Sequence, residues 1–430
     1  MAKKHIVIAA VAASALLLAG CSTGGGGSTG GTPSGQITVI THRTDLVQDK
    51  TFAGYVKAFE KIYPKVTVKV QGITDLDAQI TTRLSTGNYG DVTDIPATVT
   101  PKQLPQFFES IGETAKLKDK YRFLSDKSYE GKQYGLAPFG NAGGFIYNKK
   151  VWKEAGVTGL PKTPDEFITD LKAIKSKTSA IPYYTNYKDG WPLGQFQNQQ
   201  GFTGNATVVA DRDKNKAPWT QGTEQYTTDA LLYNIVHNGL SEPDPTTTAW
   251  EGSKGLMATG KLGAMLLGSW AVVQFQAAAK DAGTDPADIG FMPMPYQKDG
   301  KFHSTIGGDV NLGVNNHSKN KTAALAWVNW FASKSTYAAD SGALSPLVGS
   351  KNPSTLQDFT DANVQYVELD AAKNPTLDSD IYNKAQIDLF GMLYRQKLVD
   401  IARGAAPGDM KSYFADLNKQ WADAVASVKA

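Results

Sequence analysis

QITVITHRTDLVQDKTFAGYVKAFEKIYPKVTVKV, residues 36–70, reads as strand, turn, helix and strand. Gln36–Ile40 is an apolar run rich in β-branched residues, and the polar turn Thr41-His42-Arg43-Thr44-Asp45 ends it. Phe52, Val56, Phe59 and Tyr63 recur at i, i+4, i+7 and i+11, which puts them on one face of a helix that Pro64 terminates. Val66, Val68 and Val70 then alternate with Lys65, Thr67 and Lys69 in strand periodicity. A helical crossover between two strands implies a parallel α/β sheet. Such sheets bind ligands beyond the C-terminal ends of their strands, so the Thr41–Asp45 turn is a candidate site.

Outward from there, Gly131–Pro138 is a turn feeding a short strand and Gly143–Asn148 is another strand. The small, polar Phe139-Gly140-Asn141-Ala142 between them suits a chain crossing from one domain to another. Helices are expected over Lys149–Ala155 and Thr163–Ser176, where Thr163 can cap and Glu166 follows three residues later. Residues 181–250 are rich in Gly, Asn, Gln, Tyr and Trp with little periodicity, a composition that suits a binding surface. Phe291–Pro295 reads as a second connection and Gly307–Val314 as a returning strand. Asn320 opens a helix carrying Ala324, Trp327, Val328 and Phe331, and 385–428 is mostly helical.

The amino terminus reads as an export signal: Lys3 and Lys4, an apolar Ile6–Leu18, and a small-residue cleavage site at Ala19-Gly20. That apolar core is short for a bilayer span. Leu18-Ala19-Gly20-Cys21 resembles a bacterial lipobox, in which the cysteine is diacylated and becomes the mature N-terminus. Residues 1–20 are therefore expected to be a lipoprotein signal peptide, Cys21 the lipidation site, and the Gly/Ser-rich stretch to residue 35 a flexible leash. Two acyl chains, at about 0.8 kcal/mol per buried CH₂, anchor stably where one chain holds marginally. Cys21 is the sole cysteine, so no disulfide can form within the chain, and cores must supply the stability. About 390 residues after the leash are ample for two domains. Without Lys3 and Lys4 the formal charge of +3 becomes +1, which indicates neither nucleic-acid binding nor a polybasic membrane patch.

Catalytic patterns fail on their context. Gly20–Gly24 and Gly26–Gly30 match G-x-S-x-G, but both lie at or in the leash, where no strand and helix can form a nucleophile elbow. Gly255–Lys261 resembles the start of a P-loop, yet Leu262 stands where a Ser or Thr must contact magnesium, so a helix end and turn is expected there. The five histidines show no metal-ligand spacing, and no metal or other cofactor is expected. A carbohydrate hydrolase needs two converging carboxylates. No signature among the 41 acidic residues marks such a pair, and the chain is expected not to be an enzyme.

Tyr129–Pro138, Tyr147-Asn148-Lys149 and Thr163–Phe167 resemble the extracellular solute-binding proteins of family 1, which serve bacterial carbohydrate ABC importers. Gly260–Met265 with Gly268-Ser269-Trp270, Phe291-Met292-Pro293, and the Gly307–Gly308 strand with the Asn320–Phe331 helix match as well. The resemblance covers essentially the whole chain after the leash. It implies an α/β, two-lobed periplasmic-binding-protein-like fold, type II-like, with discontinuous lobes joined by hinge strands and ligand held in the cleft. The N-lobe is expected at residues 36–142 plus 294–346 and the C-lobe at 143–293 plus 347–430.

A sugar offers hydroxyls around its edge and an apolar C–H face, so flat rings and Asp, Asn, Arg or Gln are the residue types that hold it. The expected ligand-binding residues are Arg43 and Asp45 after the first strand, Asp94 in the Gly90–Asp94 turn, Asn141 at the crossing, and Asp309 on the returning strand. Trp191, Trp250 and Trp270 are the expected stacking rings, with Trp270 in the position the family uses; Trp327 shares an apolar helical face and is expected in the core. The implied partners are a carbohydrate, presumed an oligosaccharide, and the transmembrane subunits of an ABC permease. The expected protein is a monomer outside the cytoplasm, touching the bacterial membrane through its lipid anchor only. A secreted carbohydrate hydrolase, or a receptor for a polyamine or peptide, is the alternative.

Overall fold

Strand, helix and strand fall at Gly35–Thr41, Thr51–Ile62 and Val66–Gly72 in the computed structural model, which describes residues 31–371, 374 and 376–428. Cys21 and the signal segment lie outside the described residues. Gly35–Thr41 pairs in parallel with Val66–Gly72 and with Val92–Asp94, so the crossover geometry expected from residues 36–70 is the one observed. Leu312–Val314 and Gly135–Leu136 complete this five-stranded sheet, joined antiparallel to Val92–Asp94 and to each other. The helix Thr51–Ile62 lays Phe52, Tyr55 and Phe59 on one side of it. Lys321–Ser333 packs against them through Trp327, which is fully buried, stacks on Phe331 at 5.4 Å and meets the Phe59 ring edge-on at 5.0 Å.

A second sheet is ordered Gln297–Lys298, Lys301–Gly308, Gly140–Asn148, Leu262–Gly268, Ile181–Tyr183. Every residue of Leu262–Gly268 is buried, since the strand is covered on both faces. The P-loop-like stretch ahead of it is the end of the helix Trp250–Ala258 and a turn through Gly260 at φ +71°. Thr163 caps Pro164–Lys177 by accepting the Glu166 N–H at 3.1 Å. The core of this half takes Phe145 and Leu266 from the sheet, and Phe167, Leu232, Leu398 and Trp421 from the helices Pro164–Lys177, Glu224–His237, Leu393–Ala402 and Met410–Val428. The molecule therefore has two α/β lobes with separate cores.

Two stretches differ from the sequence reading in a way that matters for the site. Gly140–Asn148 is one continuous strand, so the crossing at Gly140–Ala142 is made by extended, hydrogen-bonded backbone. The small residues that imply a loop there answer a packing need, because a side chain at Gly140 would run into the Phe123 ring. Likewise Gly307–Val314 is not one strand: Lys301–Gly308 ends before Asp309, and Leu312–Val314 begins after Asn311. Lys301–Gly308 pairs with the crossing strand, Ile306 opposite Ala142, Gly307 opposite Asn141 and Gly308 opposite Gly140. Asp309 then sits in the bend that passes the chain into the first sheet.

Candidate functional site

The carboxyl end of Gly35–Thr41 delivers His42, Arg43 and Asp45 to the space between the two cores. Arg43 and Asp45 form a two-pronged pair, Nε to Oδ1 at 2.9 Å and Nη2 to Oδ2 at 2.6 Å. That hydrogen bond holds the Asp45 carboxyl below the usual carboxylate range. The Arg43 Nη1 also reaches the Tyr337 hydroxyl at 3.5 Å; burial foremost pushes that phenol up to about 12, so it stays protonated. The pair thus forms within the turn itself, with Asp45 open to solvent and Arg43 half-buried beside Tyr337.

Asp94 has a different place from the other expected contacts. It is 3% exposed, and its Oδ2 accepts from the His42 Nδ1 at 2.6 Å and from the His42 backbone N–H at 3.3 Å. A carboxylate only accepts, so Nδ1 carries the proton and Nε2 is the free ring nitrogen. Asp94 therefore stands one layer behind the cleft, orienting the imidazole that reaches it. Burial opposes the imidazolium, but the hydrogen bond and charge of Asp94, with the charge of Asp309, outweigh it and raise the His42 pKa. Asp309 is itself raised by desolvation, against the opposing pull of His42 and Arg43.

Arg43, Asp45, Asn141, Trp270 and Asp309, five of the eight expected contacts, border one cleft of about 830 Å³. It draws on both lobes: Arg43 and Asp45 come from the first sheet, whereas Trp270 follows the last residue of Leu262–Gly268 in the second. Trp270 and Asn141 also border a second pocket of about 410 Å³, so the two spaces meet at these side chains. Trp191 and Trp250 join Trp270 in a triangle of rings, with centroids 6.0 Å (191–270), 5.9 Å (250–270) and 5.2 Å (191–250) apart. Trp191 is 37% exposed at its outer corner. Three rings separated by 79 residues of sequence are thus one aromatic surface. Gly268 permits it, because a Cβ there would lie 2.6 Å from the Trp270 ring.

The sequence reading passed over His42, although it had singled out the turn containing it. It also missed the Gln195–Gln200 segment, which borders the smaller pocket with Gln197, Gln199 and Gln200. The only signal there was the Asn- and Gln-rich composition of residues 181–250. Among the described residues, no group of three or more His, Cys, Asp or Glu is placed to hold a metal ion, and no helix is long and apolar enough to cross a membrane.

Against known proteins, residues 43–338 match the model of the bacterial extracellular solute-binding proteins. A manno-oligosaccharide-specific solute-binding protein of Bifidobacterium animalis subsp. lactis, in complex with mannotriose, is 32% identical and superposes with a TM-score of 0.78 over 92% of this chain and 95% of its own. A binding protein of an ABC transporter from the same organism, in complex with mannobiose, is 31% identical with a TM-score of 0.77 over the same shares. The diacetylchitobiose-binding protein of Streptomyces coelicolor is 29% identical over 290 residues, 63% of this chain and 63% of its own length. On the strength of the matched span and the shared two-lobed architecture, the chain belongs to the bacterial extracellular solute-binding proteins.

Proposed function

We propose that this protein captures a neutral oligosaccharide between its lobes outside the cytoplasm and delivers it, unaltered, to the transmembrane subunits of an ABC importer. The observation that carries the reading is the cleft itself: an indole from one lobe faces an ion-paired arginine and aspartates from the other across a space of about 830 Å³. Flat rings suit the C–H face of a sugar and the Arg43, Asp45, Asn141 and Asp309 side chains suit its hydroxyls. The Bifidobacterium relatives, whose ligands are mannobiose and mannotriose, support the ligand class and the importer partner. Micromolar affinity needs about 8 kcal/mol, within reach of a few stackings and charge-assisted hydrogen bonds.

In this reading the lobes are residues 36–142 with 294–346 and residues 143–293 with 347–430, corrected in that Gln297–Lys298 and Lys301–Gly308 lie in the second sheet and the chain re-enters the first lobe at Asp309. Gly140–Asn148 and Lys301–Gly308, hydrogen-bonded to each other where they cross, are the hinge about which they close. Cys21, diacylated, tethers the monomer to the membrane through the Gly/Ser-rich residues that precede the first strand at Gly35. Titration of the purified protein with mannotriose, followed by tryptophan emission, tests the capture. A saturable change with the sugar recovered intact by chromatography is expected; shortened sugar would instead make the protein a hydrolase.

Two smaller effects follow from the same geometry. Gly268→Ala forces the Trp270 ring to move, and the expected result is a loss of affinity of about tenfold with the melting temperature little changed. Unchanged affinity would remove Trp270 from the binding surface. The second concerns pH. His42 binds its proton more tightly in the folded protein than in the unfolded chain, because its pKa is raised above the ordinary 6.5. Its contribution to stability is therefore complete below pH 6.5 and is lost as pH rises through the raised value. Glu242, pushed up to about 7 by burial, titrates in the same range, so the informative quantity is the difference between wild type and His42→Gln. That difference in melting temperature should shrink from pH 6 to pH 9, and a constant difference would contradict the pairing with Asp94.

A further inference from the structure

We propose that Glu242 is a positioning residue for the tryptophan surface: its buried carboxylate staples the loop that carries Trp191 to the loop that carries Trp250. The part played in binding rests on the sugar reading above; the staple itself does not. Ile181–Tyr183 is the edge strand of the second sheet, and a single bridge, Tyr183 to Ser241, joins it to the segment that follows Leu240. Immediately beyond the bridge, Glu242 Oε2 accepts the Thr185 backbone N–H at 2.8 Å and Oε1 accepts the Thr185 hydroxyl. Further rungs lead toward the rings. The Lys188 N–H donates to Thr248 Oγ1 at 3.0 Å, the Ala249 N–H to the Tyr184 hydroxyl at 3.2 Å, and the Trp250 N–H to Asp189 Oδ2. The last of these ties the residue two before Trp191 to Trp250 itself, and the two rings meet with centroids 5.2 Å apart.

The second observation is what this arrangement costs. Glu242 is 5% exposed, and no cation is paired with it among the described residues. The titratable groups beside it are the Tyr183 and Tyr184 phenols, both raised by burial and so protonated. Burial pushes the Glu242 carboxyl up to about 7, a measure of how poorly its ionised form is solvated. Next along the stapled loop, Asn186 is fully buried, sits at a left-handed φ of +53°, and has no partner for either side-chain amide atom among the described residues. A buried carboxyl without a countercharge, a left-handed residue other than glycine and an unsatisfied amide all work against stability, and they meet on one turn. An apolar side chain could fill the same space. Only an acceptor with two oxygens ties both Thr185 donors and so fixes where the loop leaves the sheet. Glu242 borders neither the cleft nor the smaller pocket, so it acts through the two loops and not on the ligand.

Circular dichroism and calorimetry on Glu242→Gln, Thr185→Val and Thr185→Ser test the staple. The band from coupled indoles, counted as the part that Trp191→Phe removes, reports the ring arrangement without any sugar. Titration with mannotriose and with the N-acetylglucosamine trimer reports binding. Below their melting temperatures, Glu242→Gln and Thr185→Val should lose most of that band and weaken the sugar that binds by about tenfold. Thr185→Ser keeps the hydroxyl and should retain both. Should Glu242→Gln not fold by its melting curve, the two Thr185 variants decide alone. A wild-type band in the folded variants overturns the positioning role, even where the melting temperature falls. A reduced band with undiminished affinity also overturns the inference, while leaving sugar capture standing. Should neither sugar bind wild type, that counts against the sugar reading, and the band decides the staple by itself.

Discussion

Arg395→Met lowers stability by about 3–5 kcal/mol, the cost of stranding a buried charge. The Arg395 and Asp229 side chains are both fully buried and meet at 2.8 Å, Nε to Oδ1. The Arg395 Nη1 donates to the Leu389 carbonyl at 3.0 Å and its Nη2 to Gln197 Oε1 at 2.9 Å. Asp229 Oδ2 accepts from the Trp219 indole at 2.7 Å, Gln225 at 2.9 Å and the Tyr394 hydroxyl at 3.1 Å. Burial holds that phenol's pKa well above 10, so it remains a donor. Methionine keeps most of the arginine's bulk but leaves the carboxylate without its countercharge. Removing both charges, as Arg395→Met with Asp229→Leu, should recover a large part of the loss, because the penalty belongs to the unpaired ion rather than to the missing attraction. Urea unfolding of the two variants measures this, and a single-variant loss under about 1 kcal/mol would contradict the account. The network also reaches function. Gln197 is one of the side chains bordering the smaller pocket, and Arg395 and Gln225 hold both ends of its amide.

The second large effect is on binding. Trp270→Ala should weaken the sugar by about 2 kcal/mol, some 30-fold, the apolar area of one stacked face. The ring borders both the larger cleft and the smaller pocket, and it leans on Trp191 and Trp250, so its orientation is set before the ligand arrives. Trp270→Phe keeps a flat face and should restore most of the affinity. Binding by Trp270→Ala at wild-type strength would show that the ligand lies elsewhere.

Where one side of an element faces a core and the other faces water, the sequence was legible. The 36–70 stretch falls in this class, as do the Thr163 cap and the Lys321–Ser333 helix with Trp327 at its centre. Glu224–His237 was not, since ten of its residues are buried and no polar stripe remains to reveal a helical period. Gly140–Ala142 was missed for a related reason, its glycine being chosen by the Phe123 ring against it and not by a turn. At the site, the tryptophans were legible as residue types in suggestive flanks, but their convergence into one surface depends on contacts 20 to 79 residues apart. Asp94 shows the limit most clearly: expected in a polar turn, it ends the buried strand Val92–Asp94, and its sequence context says nothing of His42 lying over it.

The most direct measurement is calorimetric titration of the purified protein with neutral mono- to trisaccharides, a polyamine and a short peptide. The account predicts one sugar chain bound per protein, with affinity lost on Trp270→Ala and no heat from the amine or peptide. Heat from the amine or peptide, with none from any saccharide, would contradict it.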